Sequence, residues 1–169
     1  KRNLVLRQVR LLKQADVIVL NEVDFGMRRT DYRDVAADLA SALRMNYAYG
    51  VEFVEVDPIA LGLEKFEELP PEDATKLIAE ISVNRERYRG LHGNAILSRF
   101  PLENVRVEPF EHQPHDWYKD ELKSVRPLEA GKRKAGELVF QEKIRREVRR
   151  GGRMMLTAEI ADERIPGGR

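Results

Sequence analysis

The 169-residue chain contains no cysteine. That absence removes a disulfide framework, a thiolate zinc site and a cysteine nucleophile together, and it leaves the compartment open. Long apolar runs are missing too. The longest, Ala15–Leu20, is broken by Asp16 and falls far short of the ~20 residues that cross a bilayer, so no transmembrane segment is expected. Charge of one sign is also lacking: 30 Lys and Arg face 29 Asp and Glu, for a net +1. Any attraction to anionic partners must therefore come from local clusters. The chain opens on Lys1 rather than methionine, so an upstream N-terminus is expected. Localisation stays unassigned, cytoplasmic if no leader precedes the chain.

What remains is ample for a folded domain. At 42% hydrophobic the chain can bury a core, while 35% charged residues and a mean hydropathy of −0.52 point to long charged surfaces. The length suits one domain. Leu4, Val5, Val9, Leu11 and Leu12 fall on one helical face with Asn3 as N-cap. Val17-Ile18-Val19-Leu20 then reads as a short strand covered on both faces, the second half of a βαβ unit. Glu22 and Asp24 follow where that strand would emerge, and Phe25–Thr30 reads as a loop.

A helix capped by Thr30 or Asp31 is predicted through Arg44, from Val35, Leu39 and Leu43 with Ala36 and Ala40 beside them. Tyr47–Gly50 and Val51–Val56 read as two strands. Residues 58–90 carry Pro70-Pro71, an acidic cluster and a helical pattern, and residues 112–150 are irregular and then charged. Both are expected to be insertions in a single domain. Between them Gly93-Asn94 is a turn signal before the strand Ala95–Ser98, and Val105 and Val107 alternate on another strand. Lys132–Arg150 favours a helix stopped by Gly151-Gly152, Met154–Ile160 reads as a final strand, and 162–168 as a hairpin turn.

Three segments in order carry a family likeness. Ala15–Asp24 ends a strand in Asn-Glu-Val, Gly93–Leu102 reads Gly-Asn-Ala-Ile-Leu-Ser-Arg-Phe-Pro-Leu, and Gly152-Arg153 leads into the strand Met154–Ile160. With Tyr47–Gly50 and the Arg33–Leu43 helix in their expected places, the chain resembles the endonuclease/exonuclease/phosphatase superfamily. The resemblance implies an α/β fold of deoxyribonuclease I type: part of a four-layer sandwich of two packed mixed or antiparallel sheets flanked by helices. It implies divalent-metal-dependent hydrolysis of a phosphate ester, with Mg²⁺ or Mn²⁺ as cofactor and Glu22 as its ligand. The substrate would be a nucleic acid, a lipid headgroup or a small molecule. Asn21 departs from the family's usual glutamine. The family's later Thr-His, Gly-Asp-Phe-Asn and Ser-Asp-His motifs have no counterpart here. The general acid and base are thus expected outside the chain, and the chain alone is expected to be inactive.

Each candidate also has a plain structural reading. A single carboxylate fixed by a buried strand meets the needs of a hard cation that keeps several waters, but Glu22 alone is equally a strand-end glutamate in a salt bridge. Asp24 would share its side if the strand continues, and otherwise reads as a solvated loop carboxylate. Arg28 and Arg29 suit bidentate phosphate binding or an ordinary surface. Asn94 suits a phosphate contact or turn chemistry, and His92 a substrate contact or a solvated loop. His112, His115 and Asp116 invite a metal reading, but flanking prolines make an irregular loop unsuited to holding ligands. Residues 132–153 concentrate basic side chains that could track a phosphate backbone or an anionic surface, with little aromatic interleaving for single strands. A catalytically lost binding module and a basic nucleic-acid or membrane adaptor are therefore the alternatives to an enzyme. Oligomeric state is not encoded in any pattern found.

Overall fold

The computed structural model describes residues 9, 11–56, 83–123, 127–140 and 148–162. The predicted helical and Pro-containing features of 58–82, the residues before Val9 and the 163–169 turn lie outside the described residues. The chain divides into two compact units, residues 1–54, 83–113 and 152–169 in the first, and 55–82 and 114–151 in the second.

In the first unit three strands lie side by side in the order β1 (Val17–Phe25), β3 (Leu91–Ser98), β2 (Asn46–Val56). Both pairings are antiparallel. The βαβ reading placed its first strand upstream of Lys1, so these pairings do not bear on it. The strand β1 is not covered on both faces: Ile18 is buried while Val19 is 66% exposed. A one-faced antiparallel strand alternates, and the apolar run concealed that alternation because its outward residues are valines.

One face of the sheet packs against helix α1 (Val35–Leu43). Ile18, Val23, Ala95 and Leu97 from the strands meet Ala36, Ala40 and Leu43, joined by Val9 and Met45. The small alanines let the helix approach closely. Asp34, rather than Thr30 or Asp31, caps it by accepting from Ala37 N at 2.9 Å. Arg28–Thr30 instead form one 3-10 turn.

The other face meets a two-stranded sheet, β4 (Leu102–Pro109) with β6 (Met154–Ile160). Gly50 sits at that contact: a Cβ there would come within 2.8 Å of Met154 Cε and 3.1 Å of Val107 Cγ2. Two sheets can thus close on each other where β2 offers no side chain.

The second unit contains α2 (Trp117–Glu121), α3 (Pro127–Phe140) and β5 (Val148–Gly151). Asp116 caps α2, and the Arg150 guanidinium lies over the Tyr118 ring at 5.3 Å. The helix predicted over Lys132–Arg150 starts earlier, at Pro127, and Val148–Gly151 is strand. Val148, within the stretch read as helix, is a buried strand residue.

Candidate functional site

Two β-bulges shape the region around Gly93 and Asn94. On β1 the register passes from Leu20↔Ala95 to Val23↔Gly93, so Asn21 and Glu22 together oppose Asn94. On β2 it passes from Val51↔Gly93 to Phe53↔His92, which leaves Glu52 as the extra residue. Bulges re-aim side chains and bend strands. Here they flank the same stretch of β3 from both sides.

Gly93-Asn94 is consequently not a turn but the middle of a strand. Glycine is needed because a Cβ at 93 would lie 2.0 Å from Gly50 O of the neighbouring strand. The close approach of two backbones, not loop freedom, explains this residue. Asn94 is likewise not a turn residue: its Oδ1 accepts the backbone N–H of Glu22 at 3.2 Å. That bond satisfies an amide which the bulge takes out of the ladder, at a residue whose φ is +57°. Tyr49 Oη adds a second clamp, donating to Val23 O at 2.9 Å. Burial, with nearby Asp24 and Asp34, pushes the Tyr49 hydroxyl well above its ordinary pKa and keeps it a donor.

The Glu22 carboxylate is 59% exposed, and its Oε1 lies 3.7 Å from Arg153 Nη1. The same nitrogen donates to Glu52 Oε1 at 2.9 Å. Glu22 is thus not at the exit of a strand; β1 continues three residues beyond it, and the bulge presents its side chain. Of the two other participants, Arg153 enters the sequence reading only as part of the Gly152-Arg153 likeness and the basic stretch, and Glu52 has no signal at all. Glu52 lies in a strand that reads as continuous, and its role depends on being the unpaired extra residue.

Asp24 is buried, which overturns its reading as a solvated carboxylate. Arg29 grips it with two hydrogen bonds of 2.7 Å, from Nε and Nη2. His92 Nδ1 lies 2.9 Å from Asp24 Oδ1, the oxygen that Arg29 Nη2 also reaches. Burial opposes the charge on Asp24, but the bonds from Arg29 and His92 outweigh it and hold this carboxyl below the ordinary range. With Asp24 ionised, the His92 Nδ1–H is the donor, and His92 Nε2 finds no hydrogen-bond partner among the described residues. The expected loop histidine is a buried strand residue.

The structure therefore joins Glu22 with Asn94, and separately Arg29 with His92 through Asp24. Arg28 is half-buried in the 3-10 turn. His115 pairs with Asp120 at 3.0 Å, and among the described residues no three His, Asp or Glu side chains gather as a metal cluster.

The model of the Endonuclease/Exonuclease/phosphatase family matches residues 2–157. The chain belongs to this family. Its α/β architecture with two antiparallel sheets is the deoxyribonuclease I-like fold of the endonuclease/exonuclease/phosphatase family. The family acts on phosphate esters and is typically dependent on divalent metal. Comparison with curated proteins and with solved structures finds no match. Among the described residues no helix is long and apolar enough to cross a membrane.

Proposed function

We propose that a protein carrying this chain hydrolyses a phosphate ester with a Mg²⁺ or Mn²⁺ ion held at Glu22. The observation that carries the reading is an exposed carboxylate presented by a bulge whose backbone is fixed by Asn94 and Tyr49. Hard cations take oxygen ligands and often use only one or two carboxylates, with water in the remaining positions. Glu22 fits as such a ligand, and a single fixed carboxylate leaves room for a substrate oxygen.

The cation, when bound, supplies Lewis-acid polarisation of the phosphate oxygens. The chain's own residues hold and orient. Asn94 sets the Glu22 backbone, so its effect on phosphate is through that carboxylate. Arg29 is 40% exposed while anchored on Asp24, which gives its outer edge a fixed position from which to meet a phosphate oxygen. Arg28, one residue before it, is the alternative guanidinium. His92 has its Nδ1 committed to Asp24, so a substrate contact would run through Nε2. The basic 132–153 stretch is the candidate contact for an anionic surface or nucleic-acid backbone.

The test is a Mg²⁺-dependent screen of DNA, RNA, phospholipid and a chromogenic phosphodiester against the protein carrying this chain and its Glu22→Gln variant. Loss of a metal ligand should lower turnover by at least about 100-fold. Equal turnover would remove Glu22 from the chemistry. Binding of an anionic partner without any metal-dependent turnover would favour the binding-module reading.

A further inference from the structure

Glu52 and Glu22 both lie against Arg153, in unequal surroundings. Glu52 is 2% exposed and holds Arg153 Nη1 at 2.9 Å; Glu22 is 59% exposed and lies 3.7 Å from the same nitrogen. The Arg153 guanidinium also lies over the Phe53 ring at 5.7 Å, next to its anchor. A carboxylate stripped of water holds a guanidinium more strongly than one screened by solvent. Glu52 therefore wins, and Glu22 keeps only a long, solvated contact. Glu52 Oε2 finds no partner among the described residues, so the charge of this buried group is answered through its Oε1, by Arg153. A buried carboxylate is costly to keep unless it is paired, and Arg153 is the partner that answers Glu52.

We propose that Glu52 and Arg153 are a positioning pair for Glu22: Glu52 holds Arg153 back, leaving the Glu22 carboxylate available to a divalent cation with which Arg153 competes. This rests on the proposed cation-binding role of Glu22. The two residues then act with opposite signs. Arg153→Gln removes the competitor and tightens cation binding. Glu52→Gln releases Arg153 onto Glu22 and weakens it. The double variant behaves like Arg153→Gln alone, because Glu52 acts only through Arg153. A merely structural role predicts no such opposition.

The experiment is a Mn²⁺ titration of the full chain, read by paramagnetic broadening of the Glu22 and Asn94 amide resonances, which reports weak binding without turnover. Arg153→Gln should bind about two- to fivefold tighter, the size expected from a solvated ion pair, and Glu52→Gln weaker by a similar factor. Arg153→Lys, which keeps the charge, should stay near wild type. Shifts of both single variants in the same direction, or no shift in either, would overturn the pair. Should Glu52→Gln lose its folded amide spectrum, failure of Arg153→Gln to tighten binding decides against the proposal. Glu22→Gln separates the two readings. If it abolishes the broadening while Arg153→Gln changes nothing, only the positioning pair falls; if it leaves the broadening intact, or wild type shows none, the role of Glu22 falls as well.

Discussion

Asp24 shows how much a residue's role depends on what stands across the sheet. By sequence it is a carboxylate two positions after Glu22, and either strand or loop would accommodate it. In the fold it lies directly opposite His92 and is gripped by Arg29 from the following turn. Truncating one partner of a buried ion pair leaves the other uncompensated, but Arg29 is 40% exposed and can rehydrate. Asp24→Asn is therefore expected to cost about 1–2 kcal/mol of unfolding free energy, less than a fully buried pair would. Urea denaturation checks this, and an unchanged midpoint would mean that water replaces the carboxylate at no cost. The likeness to a known strand motif made Glu22 legible. Nothing in the one-dimensional pattern distinguished Asp24 from a surface aspartate.

Among the elements, α1 and β6 were the most legible and β1 the most misleading. The i, i+4, i+7 spacing of Ala36, Ala40 and Leu43 marks a helical face whatever it packs against. Its start was harder to place, since Thr30, Asp31 and Asp34 are all competent caps. Asp34 is selected by geometry, for its backbone is extended and its carboxylate reaches Ala37 N. Asp34→Ala should lower stability by about 1 kcal/mol, with the loss visible in amide exchange across the first turn of α1. Exchange unchanged there would show that packing alone holds the helix end. In β1 the bulge at Asn21-Glu22 shifts the alternation, so that Ile18 and Val23 reach the same core despite their odd separation. Period-two reasoning fails across such a step.

At the scale of the whole first unit, closure depends on two glycines with different neighbours. A Cβ at Gly93 would strike the backbone of β2, whereas one at Gly50 would meet the ends of Met154, Val107 and Leu156 side chains. Backbone cannot yield without breaking strand pairing, while a methionine methyl can rotate away. Gly93→Ala should thus cost about 3 kcal/mol or more and Gly50→Ala only about 1 kcal/mol. Equal costs by chemical denaturation would contradict this account of how the strands and the two sheets are held. The sheets matter to function because the Glu22–Glu52–Arg153 cluster joins β1 and β2 to the segment entering β6. No single element contains it.

The sequence by itself determined the helical face of α1, the strand before Ser98 and the final strand, because apolar periodicity is a local property of the chain. The class of fold came only through the family likeness, which also singled out Glu22, since that motif is contiguous. Tertiary structure alone decided that Gly93-Asn94 lies within a strand, that Asp24 and His92 are buried together, and that Glu52 and Glu22 converge on Arg153. Those facts follow from strand register and from two unpaired residues in bulges. Register is set by the mutual fit of segments about 40 to 80 positions apart, which no window along the chain can read.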